Sequence, residues 1–216
     1  MIYVNLLIIF ANFWIWKILK ENPIIGIALI IVNILLFLLT TKINKIILSL
    51  TLIFCLFLSS QILISGFDKN LSTLTVDGQK QQDTRHGYFS QDLGKLFQNK
   101  YALHFYKEAY PYLNTYLNNT FDNLSPNLYF FENHPREREK VGEFSKYPGI
   151  FILPFIVGFL LIFKSISKIL VIYFLFAVLV SGFIRQNYFL GPVLFFPLIN
   201  ILISRGIIKT YKILRK

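Results

Sequence analysis

A carboxylate, a guanidinium and an imidazole stand close together in Asp83-Thr84-Arg85-His86, the most chemically varied string of the sequence. Such a carboxylate can act as a general base, and an arginine can hold a phosphate through two parallel hydrogen bonds. The same string is also typical of a polar loop that leads into a helix capped near Ser90. Asp83 or His86 is therefore a candidate base and Arg85 a candidate phosphate ligand, with a plain loop as the alternative.

Two further arginines are candidate phosphate ligands. Arg136 lies in the charged string HPREREK at positions 134–140, and Arg185 lies at the edge of an apolar stretch. Near a membrane surface, a guanidinium suits a lipid phosphate or pyrophosphate headgroup. The alternating charges around Arg136 are also typical of a solvated strip. Arg185 is also typical of a side chain that anchors a span by reaching the interface.

The sequence predicts no metal site and no cofactor. His86, His104 and His134 are not spaced like metal ligands, and Cys55, the single cysteine, lies inside an apolar stretch. A zinc site would need histidines and carboxylates gathered from distant segments. With one cysteine, the sequence also predicts no disulfide bond within the chain.

The elements that must position these side chains follow from the hydrophobic composition. Of the 216 residues, 55% are hydrophobic, 17% are aromatic and 15% are charged. A water-soluble chain of this length would show more charge. The apolar residues fall into blocks near the length that crosses a hydrocarbon core about 30 Å thick. The composition therefore predicts an all-α integral membrane protein.

About six transmembrane helices are predicted from these blocks. They cover Ile2 to Leu19, Pro23 to Thr41, Ile46 to Ser65, Pro148 to Phe163, Ile169 to Ile184 and Tyr188 to Ser204. Residues 1–65 thus hold three transmembrane helices, and residues 66–147 form a mainly helical extracytoplasmic domain. Residues 148–216 hold three more transmembrane helices and a basic cytoplasmic tail.

Charge is divided unevenly between these regions. Ten of the eleven acidic residues and ten of the twenty-two basic residues lie between Gly66 and Tyr147, so this segment is formally neutral. The remaining twelve Lys and Arg, less Glu21, account for the net charge of +11. A nucleic-acid partner would need a basic patch on a folded domain, and this domain carries no net charge. The charges therefore exclude nucleic-acid binding.

Orientation follows from the positive charges of the short loops. With a cytoplasmic N-terminus, the cytoplasmic loops and tail hold nine Lys and Arg residues, and the opposite short turns hold three, Lys17, Lys20 and Arg185. Both termini are therefore predicted in the cytoplasm. The abundance of Ile, Lys, Asn and Phe is typical of an AT-rich bacterial genome, which indicates a bacterial cytoplasmic membrane.

Four amides lie within the predicted spans, where such side chains are expected to hydrogen-bond between helices. They are Asn5, Asn12, Asn33 and Asn200. No charged residue lies clearly at the middle of a span, which argues against an ion-coupled transporter.

The outer domain contains a helical 3-4-3-4 rhythm of apolar residues. Its members are Leu103, Tyr106, Tyr110, Leu113 and Leu117. The rhythm predicts one apolar face, and the domain's aromatic residues are expected to form its core and to seat it on the lipid boundary. Pro111 is expected to kink or restart this helix.

The stretch Asn119 to Phe131 (NTFDNLSPNLYFF) resembles GT-C-type glycosyltransferases, the multi-pass membrane enzymes that use polyprenyl-phosphate sugars. Bacterial members end their large outer loop with an asparagine-aromatic stretch, Ser-Pro and an aromatic run, which Ser125-Pro126 and the residues after it match. They re-enter the membrane through a Leu-Pro-rich span, which Leu153-Pro154 resembles. A later outer turn carries a basic residue before a proline-rich helix, as Arg185 does here. The similarity covers residues 115–206.

This resemblance implies a role in envelope glycan or lipid-linked sugar metabolism, with membrane lipid and a polyprenyl-phosphate sugar as partners. It also implies an outer carboxylate as catalytic base and arginines that hold the prenyl-phosphate leaving group. The candidates are Asp83 and Glu132 for the base, and Arg85, Arg136 and Arg185 for the phosphate.

The chain departs from the family in two respects. The family places a carboxylate after its first span, whereas the turn at residues 17–22 holds only Glu21, and the chain is shorter with fewer spans. Whether it is catalytic by itself is therefore left open. The alternative is a non-enzymatic assembly subunit whose outer helical domain docks a protein partner.

Overall fold

The fold is that of a computed structural model, which describes residues 2–41, 43–73, 76, 78–80, 83–84, 87, 99–131, 145–164, 168–185 and 188–215. Within these residues the regular structure is helical, apart from one isolated antiparallel bridge between Phe67 and Ile184. The prediction of an all-α chain is confirmed for this part of the molecule.

The helices follow the chain in three groups. The first group is α1 (Ile2–Ala11), α2 (Phe13–Glu21), α3 (Pro23–Thr41) and α4 (Lys45–Gly66), followed by a 3-10 turn (Lys69–Leu71). The second is α5 (Lys100–His104), a π turn (Phe105–Ala109), α6 (Tyr110–Leu124) and α7 (Asn127–Phe130). The third is a 3-10 turn (Gly149–Phe151), α8 (Ile152–Lys164), α9 (Lys168–Ser181), a 3-10 turn (Gly191–Phe195) and α10 (Phe196–Leu214).

Three of the described helical stretches are long and apolar enough to cross a membrane, namely α3, α4 and Gly191–Leu214, which joins a 3-10 turn to α10. The pair α1 and α2 passes the same test only jointly, and it is bent by 64°. The stretch Gly149–Leu161 and helix α9 are apolar but shorter. The helices are therefore compatible with membrane insertion, and the number of six spans stays a prediction.

The predicted boundaries hold best at the second span, Pro23 to Thr41, which is α3. The predicted sixth span ended at Ser204, whereas α10 continues to Leu214 through most of the predicted basic tail. Apolar residues recur beyond Ser204, and Gly206 is held against another helix, so nothing there ends the helix.

Asparagine side chains fix where several helices begin. An asparagine before a helix can accept a hydrogen bond from a backbone N–H that has no partner within the helix. The observed pairs are Asn12 with Trp14 N (2.8 Å), Asn22 with Ile25 N (3.1 Å), Asn44 with Ile46 N (2.8 Å) and Asn99 with Tyr101 N (2.9 Å). Pro23, which follows Asn22, suits the first position of α3 because that position needs no N–H.

The bend between α1 and α2 is stabilised by side chains. Asn12 caps α2, and the indole Nε1 of Trp16 donates to Phe10 O, a carbonyl near the end of α1, at 2.8 Å. Backbone groups released by a broken helix in a membrane must find such partners. Asn12 therefore acts as a helix cap rather than as the predicted bond between helices.

Helices α8 and α10 pack through two glycines in an antiparallel arrangement. A Cβ added at Gly158 would lie 1.9 Å from Leu202 O, and one added at Gly206 would lie 1.8 Å from Pro154 O. Small residues of this kind let two helix backbones approach closely. The first half of α10, from Phe196 to Gly206, is largely buried within the bundle.

The prediction that amides within the spans hydrogen-bond between helices has a mixed outcome at the remaining positions. Asn5 Nδ2 donates to Ser204 Oγ at 3.1 Å, and Tyr147 donates to Asn200 Oδ1 at 3.2 Å. The first of these bonds joins α1 to α10, as predicted. Asn33 is buried in α3 and has no hydrogen-bond partner among the described residues, so the prediction is wrong there.

The helix break predicted at Pro111 is confirmed. A π turn occupies Phe105–Ala109, and α6 starts at Tyr110 with the proline in its first turn. Proline has no N–H to continue the hydrogen-bonding ladder, and the wider turn accommodates its ring.

Candidate functional site

The exposed face of α2 combines two aromatic rings with two ammonium groups. Phe13, Trp16, Lys17 and Lys20 follow the spacing i, i+3, i+4, i+7, which places them on one side of a helix. All four side chains are exposed, and with Ser145 they line an open groove of about 500 Å³, called here the α2 groove. The groove therefore offers an apolar surface beside positive charge.

The opposite face of α2 holds the groove in place. Trp14 is fully buried, with edge-on ring contacts to Tyr147 (6.1 Å between centroids) and Phe196 (5.4 Å) and a tilted contact to Tyr129 (6.0 Å). Buried aromatic pairs of this geometry add to the free energy gained from burial alone. Tyr129 belongs to α7, so the aromatic run of that helix supports the groove from behind.

Lys146 is a buried cation directly behind the same groove. Its side chain is 2% exposed, its Nζ donates to Leu128 O at 2.8 Å, and it lies 5.7 Å from the centre of the Trp14 ring. A cation over an indole face is attracted by the ring's electron density. Next to it, the backbone N–H of Tyr147 donates to Tyr129 O at 2.8 Å. Residues 145–147 thus bind α7 through hydrogen bonds and contact α2 through the Trp14 ring.

A second polar cluster lies where α4 and α9 finish side by side, called here the Gly66 end of the bundle. Asp68 is buried, and its carboxylate accepts from Asn70 N (3.0 Å) and Asn119 Nδ2 (2.9 Å). The same Asn119 amide donates to Gly182 O at 3.2 Å. These bonds connect α6 to the ends of both α4 and α9.

Arg185 also lies at the Gly66 end. Its backbone N–H donates to Gly66 O at 2.9 Å, and its exposed guanidinium lies 5.4 Å from the centre of the Tyr188 ring. The Tyr188 hydroxyl shares a short hydrogen bond with Ser65 Oγ. The structure thus fixes the backbone of Arg185 and leaves its charge at the surface, where both predicted interpretations, phosphate ligand and anchor, stay open.

Of the other predicted site residues, only Asp83 lies among the residues that the structure describes. Asp83 is exposed, and within the described chain no ion pair joins it to Arg185. Arg85, Glu132 and Arg136 lie outside the described residues. No group of three His, Cys, Asp or Glu side chains able to hold a metal ion is found among the residues that the structure describes.

Several residues of the two clusters were not predicted as site residues. The spacing of Phe13, Trp16, Lys17 and Lys20 was a usable signal, but it was hidden by the interpretation of residues 2–19 as one straight span. Lys146 and Asp68 carried no signal, because ionisable residues in a polar stretch give no indication of burial.

The fold defines a helical protein that is compatible with membrane insertion. Its α2 groove is aromatic and cationic, and it lies on the second helix of the sharply bent pair α1 and α2. Comparison of the chain with family models, with curated proteins and with solved structures finds no match.

Proposed function

We propose that this protein binds a lipid-linked phosphate, of the polyprenyl-phosphate-sugar class, at the surface of the bacterial cytoplasmic membrane. It would act there in envelope glycan or lipid-linked sugar metabolism, with both termini in the cytoplasm. The observation that carries the proposal is the α2 groove, where Lys17 and Lys20 stand beside Phe13 and Trp16.

The two halves of such a ligand match the two halves of the groove. A prenyl chain gains free energy by contact with apolar and aromatic surface, and a phosphate gains it from lysine ammonium groups near a membrane. A volume of about 500 Å³ is within the range of small-molecule sites. An apolar cleft without the lysines would suit any lipid tail, so the lysine pair supports a phosphate.

The location of the groove supports the same class of ligand. It lies at the turn that the loop charges predict to be extracytoplasmic, and the aromatic run that resembles GT-C enzymes supports it from behind. The proposal covers recognition of the lipid phosphate. Glycosyl transfer is assigned to no residue, since Asp83 is exposed and Glu21, the acid nearest the groove in sequence, is exposed as well.

The test is a binding titration of the purified chain in nanodiscs of zwitterionic lipid, with a polyprenyl phosphate as the added ligand. Replacing both lysines (Lys17→Gln and Lys20→Gln) removes two charges, each contributing about 1 kcal/mol as an exposed ion pair with the phosphate. We expect about a 30-fold loss of affinity, since about 1.4 kcal/mol corresponds to a factor of ten.

The matched control is a second exposed lysine pair with the same spacing, Lys209 and Lys212, near the end of α10. Lys209→Gln with Lys212→Gln should leave the affinity unchanged. The corresponding prenyl alcohol and inorganic phosphate should each bind weakly, because each supplies half of the interaction. Equal losses from both lysine pairs, or no saturable binding of the polyprenyl phosphate, would refute the proposal.

A further inference from the structure

The amphipathic helix α6 is packed with its polar side inward. Asn119, Thr120 and Asn123 are buried, whereas Leu113, Leu117 and Phe121 are 43%, 40% and 64% exposed. The three exposed residues are spaced by four and form one continuous strip, called here the α6 stripe. Leu113 and Leu117, which the sequence predicted on one apolar face, thus share a face that points outward.

Hydrogen bonds donated by two buried amide nitrogens stabilise this orientation. Asn119 Nδ2 donates to Asp68 and to Gly182 O, and Asn123 Nδ2 donates to Asn119 O at 2.9 Å. Polar groups buried with hydrogen-bond partners avoid the cost of lost hydration. The polar side of α6 is thus occupied by the ends of α4 and α9, which leaves the apolar side facing outward.

Helix α6 packs against the end of α9, where exposed apolar side chains lie. The hydroxyl of Tyr116, one residue before Leu117, donates to Leu179 O at 2.8 Å within the last turn of α9. Its ring packs edge-on against Phe183 at 5.1 Å, and the side chains of Leu179 and Phe183 are both exposed. Helix α6 therefore lies beside the end of an apolar helix rather than clear of the bundle.

We propose that the α6 stripe is embedded in the lipid of the leaflet at the Gly66 end, with α6 lying along the membrane interface. Three observations support lipid as the occupant. Helix α6 packs through Tyr116 against the apolar end of α9, its fifteen residues carry a single charge at Asp122, and its three buried polar residues, Asn119, Thr120 and Asn123, face the bundle. Interfacial helices bury an apolar face to the depth of the acyl chain boundary. This proposal does not depend on the α2 groove.

The test uses the chain in nanodiscs of phosphatidylcholine. It measures how often a spin label on the chain collides with each of two reagents, one that partitions into lipid and one that stays in water. Cys55→Ser provides the background, and single cysteines replace Leu113, Leu117 and Phe121 in turn. Molecular oxygen concentrates in lipid and a nickel chelate stays in water. We expect the oxygen-to-nickel collision ratio at the three stripe positions to be several-fold higher than at a water-exposed site.

Asn118→Cys is the matched control, because Asn118 is exposed and adjacent to the stripe on the same helix. A label there should meet nickel more than oxygen. Nickel access at the stripe equal to that at Asn118 would show a water-facing surface and overturn the proposal. Exclusion of both reagents would also overturn it, in favour of a protein partner or a second copy covering the stripe. Unchanged thermal unfolding of each labelled variant, relative to the Cys55→Ser background, confirms that the fold is retained.

Discussion

Helices α2 and α6 are both amphipathic, but they face their surroundings in opposite ways. Helix α2 buries Trp14 and Ile15 and exposes Lys17 and Lys20. Helix α6 buries amides and exposes the α6 stripe. The first arrangement suits a surface wetted by water and headgroups, and the second suits a surface covered by hydrocarbon.

The comparison shows that periodicity fixes which residues share a face but not where that face points. The buried side of α2 gains free energy from apolar and aromatic contact. The buried side of α6 depends on hydrogen bonds to Asp68 and to the carbonyl of Gly182. Substitutions on the buried side of α2 should therefore change the free energy of unfolding through lost apolar contact, and those on the buried side of α6 through lost hydrogen bonds.

The largest effect is expected at the buried face of α2. Trp14→Ala removes a ring that contacts Tyr129, Tyr147 and Phe196, and it should lower the free energy of unfolding by about 3–5 kcal/mol. Phe13→Ala, one residue away but on the exposed face, should change it by less than about 0.5 kcal/mol. Chemical unfolding in mild detergent measures both values, and similar losses would show that α2 does not face the bundle as described.

A smaller but still large effect is expected on the buried face of α6. Asn119→Leu leaves the Asp68 carboxylate and the carbonyl of Gly182 without this donor, which should cost about 3 kcal/mol. Asn118→Leu is the control, because that side chain is exposed on the same helix. If the Asn118 variant were the more damaging of the two, the inward orientation of the amides would be wrong.

Tyr116 tests the contact between α6 and α9. Burial raises the pKa of its hydroxyl above the ordinary value, which is itself well above neutral pH, and the protonated group donates to Leu179 O. Tyr116→Phe keeps the ring contact with Phe183 and removes only this bond. The unfolding free energy should fall by about 1 kcal/mol. A loss as large as that of Asn119→Leu would mean that the hydroxyl has a further role.

The smallest effect concerns the charges of α2. Raising the ionic strength from low to high salt should weaken polyprenyl phosphate binding several-fold, because exposed charges are screened within about 10 Å at 0.1 M salt. The variant with Lys17→Gln and Lys20→Gln should show little salt dependence. Titrations at two salt concentrations measure this difference, and an identical salt dependence in both proteins would exclude the lysine pair as the phosphate contact.

The sequence predicted much of the helical framework. The apolar blocks located α3 and α4 to within one residue, and Pro111 located the start of α6. The bend at Asn12 was missed because a high average hydropathy hides a helix cap inside an apolar block. Capping asparagines and a cationic, aromatic spacing after Asn12 were present in the sequence and would have indicated it.

The polar contacts at the Gly66 end could not be predicted from spacing. Asp68 and Asn119 are 51 residues apart, and their hydrogen bond depends on how α6 crosses the ends of α4 and α9. The direction of the α6 stripe was unpredictable for a related reason. A rhythm of apolar residues is the same whether the face meets a protein core or a lipid tail.

The most direct test of the central claim is mass spectrometry of the lipids that copurify with the chain from a bacterial membrane. The account predicts polyprenyl-phosphate species retained by the unmodified chain and by the Lys209→Gln, Lys212→Gln control, and lost from the Lys17→Gln, Lys20→Gln variant. The same phospholipid profile from all three proteins, without any prenyl phosphate, would contradict it.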